Sequence, residues 1–283
     1  MRHDFTTGLM RKAVLGALVL CPTLAQAADF DAFGTAAPEL VAIEPNKPDL
    51  IFELGLGVGA APAFPGWDEY AATVSPIIRI ERLHIPGVID IGGTESEGGL
   101  RFAPSFAVQR ERNSSDYEEL AGLDDIDTTF EVGARIGYEF ILNDVLSTEV
   151  YGQARYAFGG AEGFVGEVGL DATARLTPQF EVVGGVFASL AGDDYIDTYF
   201  GVSERESVAT GGRLAAFDPS AGATSVGVKV AARYEFIPDT FLSASAEYSR
   251  LVGDAADSPV VDLGSEHQFA IGLGLSRRFS ISY

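Results

Sequence analysis

The residues of this chain that could do chemistry are two histidines, two acidic runs and one glycine-rich stretch. Histidine is the usual general base of a hydrolytic site. His84 stands in RLHIP, at what reads as a short turn, and His267 follows Ser265-Glu266 at the head of the last apolar segment. The strand pattern described below puts them at opposite ends of the fold, so no shared site, and no catalytic residue, is expected. Asp124, Asp125 and Asp127 form a tight acidic run and Asp254, Asp257 and Asp262 a looser one. Oxygen-rich loops can take Ca²⁺, but neither run has EF-hand spacing. Solvated loop acid is the expectation, with no metal site. GLGVG at 55–59 has the look of a nucleotide loop, but no helix follows it, so no cofactor is expected either.

Composition narrows the classes further. The chain has 283 residues, a formal net charge of −22, 33 glycines, one Cys and one Trp. Such an acidic chain is not expected to bind nucleic acid, which needs a basic face to displace counterions. The N-terminus reads as an export signal: Arg2, Arg11 and Lys12 precede the apolar run Ala13–Leu20, and Ala25-Gln26-Ala27 supplies a small-x-small cleavage site. Residues 1–27 are therefore expected to leave with cleavage after Ala27, taking Cys21 with them. Leu20 before Cys21 is too large for a lipobox. Residues 28–49, rich in Ala, Pro and acid and without a sustained period, read as a periplasmic linker or tail.

From Leu50 onward the two-residue period of β-strands takes over, and no window carries a convincing helical stripe. Phe130, Val132, Ala134, Ile136, Tyr138 and Phe140 share one face, with Glu131, Arg135 and Glu139 on the other. Similar alternation runs at about 50–58, 99–110, 146–158, 163–176, 179–190, 225–237 and 240–252, and more weakly at 71–82. Most of these segments reach the ~9–11 residues that a tilted membrane strand needs. The last one, Gln268–Tyr283, puts Phe269, Ile271, Leu273, Leu275, Phe279, Ile281 and Tyr283 on one face and ends on an aromatic residue; Arg277 interrupts the apolar row. Residues 50–283 are accordingly expected to form an all-β fold, a transmembrane antiparallel up-and-down β-barrel of 10–12 strands in the outer membrane of a Gram-negative bacterium. Turns near Asn143-Asp144, Pro178-Gln179 and Pro238-Asp239 would face the periplasm, with 111–127, 191–224 and 253–265 outside. Ile85–Ile91 and Tyr195–Val202 are the two short candidates for an eleventh and twelfth strand.

The inward row collects Arg101, Arg135, Arg155, Arg175, Lys229, Arg233 and Arg278 against Glu53, Glu131, Glu139, Glu149, Glu167, Asp171, Glu181, Glu235 and Glu247. Signs so nearly balanced predict paired charges and a filled or narrow lumen, because buried charges are tolerated only in pairs. A selective pore would favour one sign.

GLGVGAAPAFPGWDEY (55–70), LAGLDDIDTTFEVGARIGYEF (120–140), YFGVS (199–203), DSPVV (257–261) and GLSRRF (274–279) together resemble the MltA-interacting protein (MipA/OmpV) family of outer-membrane proteins over about residues 50–283. The resemblance implies a non-enzymatic barrel in contact with outer-membrane lipid. It also implies a scaffold that brings a murein lytic transglycosylase to a murein synthase. A narrow solute channel, and a surface adhesin acting through the acidic loops, are the alternatives.

Overall fold

The computed structural model describes residues 48–85, 89–91 and 98–282, and for residues 85 and 89–91 the backbone alone. The expected signal segment, most of the 28–49 tail and Tyr283 lie outside the described residues. Ten long strands and one short one form a nearly closed antiparallel barrel. They are β1 (Leu50–Pro62), β2 (Tyr70–Ile85), β3 (Ile89–Ile91), β4 (Gly99–Gln109), β5 (Thr129–Ile141), β6 (Leu146–Gly159), β7 (Gly163–Thr177), β8 (Phe180–Ala191), β9 (Gly222–Ile237), β10 (Thr240–Leu251) and β11 (His267–Ile281). Each pairs with its chain neighbour, β1 pairs with β11, and the sheet runs from β3 round to β4. Of the two short candidates, 85–91 contributes β3. The other is corrected: Tyr195–Val202 falls largely in a helix, α1 (Asp193–Phe200), followed by α2 (Glu204–Ala209).

Strand polarity is that of a membrane barrel. On β11, Phe269, Ile271, Leu273, Leu275 and Phe279 are 42–59% exposed, whereas Gly272, Gly274 and Ser276 are buried. Lipid takes the apolar face, and the sheet satisfies its own backbone groups where no water can. Two aromatic girdles bound this belt. Phe52 stacks on Phe279 and Phe180 meets Tyr234 near one end; Phe130 stacks on Phe158 and Tyr248 meets Phe269 near the other. The ten residue-to-residue steps from Phe269 to Phe279 rise about 3.4 Å each, which at a tilt of about 40° spans roughly 26 Å, close to the ~25 Å apolar band of such barrels.

The two ends differ. One carries tight turns: at Asn143 the side-chain oxygen accepts the N–H groups of Val145 and Leu146 (2.9 and 3.0 Å), and at Pro238-Asp239 the aspartate adopts φ 61°. Asp tolerates that left-handed region better than most residues. The other end carries the segments 63–69, 110–128, 160–162, 192–221 and 252–266, folded together into a cap.

Candidate functional site: a charged lumen beneath a loop cap

The inward positions of the strands build three tiers of ion pairs. Nearest the short turns, buried Glu53 accepts from Arg233 with Arg79 4.0 Å away, and Glu81 accepts from Arg278 Nε at 2.7 Å. Arg101 pairs with Glu139, which lies 3.7 Å from Arg175, and Arg175 reaches Glu181 at 3.3 Å. Phe241 lies buried with the guanidinium groups of Arg233 and Arg278 over its ring at 3.5 and 4.7 Å. In the middle tier Arg135 bridges Glu149 (3.0 Å) and Asp171 (2.7 Å), and Lys229 lies 3.4 Å from Asp171 and 3.7 Å from Glu167. Tyr151 is inserted between them, with Arg135 3.4 Å above its ring, Lys229 Nζ donating to its oxygen at 2.8 Å and its hydroxyl bonded to Glu167. Highest, Arg155 donates to Glu131 (2.8 Å) and to Ser105 Oγ (3.2 Å).

Small residues make this interlock possible. A Cβ on Gly185 would collide with the Asp171 carboxylate, and one on Gly169 with the Tyr151 hydroxyl. The glycines that alternate with apolar residues along the strands therefore leave room for long polar side chains from neighbouring strands. Of the expected inward charges, Arg101, Arg135, Arg155, Lys229 and Arg233 occupy the barrel interior paired with Glu53, Glu131, Glu139, Glu149, Glu167 and Asp171.

Arg79, Glu81 and Arg82 were missing from the sequence-derived row. A register shift at Ile51/Phe52 explains this: Ile51 pairs with Arg82 but Phe52 with Ile80, so the two-residue period breaks within β2. The consecutive polar residues of RIERLH, following the apolar PII, were the available signal.

The cap is constructed in the opposite way. Ile126, Tyr195, Ile196, Tyr199, Phe200, Ala255 and Val261 form one apolar cluster with the uppermost inward residues Val165, Ala191 and Leu251. Phe64, Trp67, Leu120, Leu123, Val202, Leu214 and Val260 form a second. Helix α1 presents Tyr195 and Ile196 with Tyr199 and Phe200, one turn on, to the barrel mouth. The Tyr195 hydroxyl donates to Glu131 (2.8 Å) and the Tyr199 hydroxyl to Thr129 Oγ1 (2.9 Å), tying the cap to the lumen. Burial raises both phenols, Tyr195 with added repulsion from Glu131 and Tyr199 to about 12, so both remain neutral donors.

Polar clasps join the loops. Arg213 donates to the carbonyls of Glu119 (3.0 Å) and Ala121 (2.8 Å), and Arg112 donates to that of Tyr199 (3.2 Å). Ser203 and Glu206 make a capping box on α2, and Glu206 also accepts the Asp124 N–H at 2.9 Å. Burial pushes the Glu206 carboxyl up, but the hydrogen bonds from Asp124 and Ser203, with Arg112 nearby, outweigh it and hold the group below its ordinary value. The first acidic run is thus structural as well as solvated. Asp124 pairs with Arg205, and Asp125 accepts the Ser114 N–H (2.7 Å) and hydroxyl (2.9 Å), which lower its pKa.

His84, on β2 near the short turns, and His267, bonded to Tyr248 (2.8 Å) at the cap end, lie at opposite ends of the barrel. Among the described residues no group of three or more His, Cys, Asp and Glu is placed to hold a metal ion.

A family model described as MltA-interacting protein MipA matches residues 54–279. Among solved structures, an outer membrane channel from Pseudomonas putida F1 is similar at 12% identity and TM-score 0.48, covering 84% of this chain and all of that one. The NanC porin (10% identity, TM-score 0.36, 81% and 98% covered) and the outer membrane protease OmpT from Escherichia coli (12%, 0.35, 84% and 99%) are further barrels of similar course. No curated protein sequence matches significantly.

Proposed function

The chain belongs to the MltA-interacting protein MipA family, and from that premise we propose that it is a non-enzymatic outer-membrane barrel that holds murein-processing enzymes at its rim. The family description names MltA, a murein lytic transglycosylase, as the partner of its type member; a murein synthase would complete the assembly. One observation carries the reading: the lumen is interlocked by three tiers of ion pairs and closed by a packed cap, which leaves the rims as the working surfaces. At the short-turn rim, Arg175, Arg278, Glu181, Glu235 and Asp144 surround an open recess of about 580 Å³. A recess edged by both signs of charge suits a folded protein partner, and β1 begins at Leu50 on the same side. On this reading that side is the periplasm, and cleavage after Ala27 frees the tail.

Affinity capture from detergent-solubilised envelopes tests the proposal. A murein transglycosylase should co-purify with the intact chain and be lost when residues 28–47 are deleted and Arg175 and Arg278 are reversed to Glu. Recovery of no murein enzyme would sink it. A surface adhesin is the second reading, favoured by the charge of the cap, whose five segments carry 20 Asp and Glu against 4 Arg. Deletion of 203–214 with undiminished surface attachment would remove it.

A further inference from the structure

The barrel wall is laddered all the way round except between two of its long strands. Among the described residues β2 pairs with β1 and, at Leu83–Ile85, with the short β3, while β4 pairs with β5 alone. Proline marks the same two strands. Apart from Pro62 at the end of β1, the prolines within the described strands are Pro76 on β2 and Pro104 on β4. Pro76 faces Leu56 and Pro104 faces Ala134, each in a stretch of ladder without a register shift. A proline fits there where its missing N–H points away from the paired neighbour, so both prolines turn that blank position to the seam. By the two-residue period, the N–H groups of Val74 and Ile78 on β2, and of Phe102 and Phe106 on β4, point the same way. An edge with a donor deleted at its centre is a poor template for an added strand. That argues against closure of the seam by a partner strand or by a second copy.

Toward the cap, both flanks of the seam are free of charge. On the lipid side Val74, Ile78, Phe102 and Phe106 are 43–54% exposed. On the lumen side Thr73, Ser75, Ala103 and Ala107 are buried, small and neutral, and Arg79, Arg82 and Arg101 stand nearer the short turns. Behind the cap end of the seam lies a chamber of about 210 Å³, lined by Gln109 of β4 and, from the cap, by Tyr195 and Phe200. We propose that the seam is a lateral opening in the barrel wall, filled by an acyl chain of the surrounding outer-membrane lipid. An acyl chain matches the apolar outer flank, fits beside the small inner one, and needs no hydrogen bond from the positions that the prolines leave blank. The opening is independent of any partner at the short-turn rim.

The test uses the full-length protein folded into phosphatidylcholine vesicles, part of whose lipid carries a photoactivatable diazirine on its acyl chain. Heat-shifted gel migration identifies the folded barrel. After irradiation, mass spectrometry of the peptides locates the attached lipid. Lipid-facing Val74 and Phe106 should be labelled, and so should the inward seam residues Thr73, Ser75 and Ala103. Inward Ala231 and Ser243, on β9 and β10 with a laddered neighbour on each side, should stay unlabelled. A second measurement needs one small substitution. In a Cys21→Ser background, Ser75→Cys should react with a maleimide tethered to an acyl chain, and Ser243→Cys should not. Label on lipid-facing residues alone, equal labelling of Ala231 and Ser243, or an unreactive Ser75→Cys in a folded barrel would each overturn the proposal.

Discussion

The lumen and the cap are both interior, yet one is made of charge and the other of hydrocarbon. Glu131, Arg135 and Asp171 are each no more than 4% exposed in the lumen, and Ile196, Tyr199 and Val260 no more than 1% in the cap. The difference follows from what lies on the far side of each layer. A barrel strand has two faces, and lipid claims the apolar one, so the inner face inherits the polar residues and must pair them. The cap loops face water, so their apolar residues turn inward as in a soluble domain. One chain thus obeys two opposite burial rules, switching between them within a few residues of β7, β8 and β10, where Val165, Ala191 and Leu251 join the cap.

The comparison breaks most severely at the middle tier. Asp171→Ala would leave Arg135 and Lys229 facing each other without their shared carboxylate, which should cost about 3–5 kcal/mol of barrel stability. Urea unfolding followed by heat-modifiable migration measures it, and a loss below about 1 kcal/mol would show that the tiers are not coupled. Next, Phe200→Ala should destabilise the cap by roughly 3 kcal/mol through the cavity it leaves. Limited proteolysis should then cut 192–221 while the barrel band stays heat-modifiable; simultaneous loss of the barrel would mean that the two interiors are one cooperative unit.

A smaller effect is expected of Arg213→Ala, which removes two bonds to the carbonyls of the 110–128 loop: about 1–2 kcal/mol, seen as faster amide exchange in 118–123. Least of all is the acid response of Glu206. Its carboxyl is held below the ordinary value of 4.5, so its contribution is fully present above that pH and lost as pH falls through the lower folded value. Asp197, raised by burial and by Asp218, Glu206 and Asp194, works in the opposite sense. The Trp67 fluorescence should therefore change only modestly between pH 5 and 3, and Glu206→Gln should flatten it; a large transition near pH 6 would point to other groups.

Much of the barrel was legible because its period is short and its strands are long. On β5 the alternation from Phe130 to Phe140 assigns each side chain to lipid or lumen without further information, and the same holds on β11. The helix α1 was not legible. Its Tyr, Ile, Thr and Phe are good strand formers, and eight residues are too few for a helical stripe to stand out. Two signals were present: the Asp193-Asp194 pair at its start, and Ser203 three residues before Glu206, a capping box for α2. On β2 a single bulge was enough to hide Arg79 and Glu81.

Pairing within the lumen shows the same division. Glu131, Arg135 and Glu139 follow one another on a single inward face, which requires that they be neutralised from other strands. Their partners are Arg155 on β6, Glu149 and Asp171 on β6 and β7, and Arg101 and Arg175 on β4 and β7. By itself the sequence determined the strands, their two faces and the near balance of charge inside, since these depend only on alternation along the chain. Which carboxylate meets which cation, the chamber left above them and the cap that roofs it were decided by the tertiary structure. Those features depend on register and on loops brought together from five separate segments, and no local pattern encodes either.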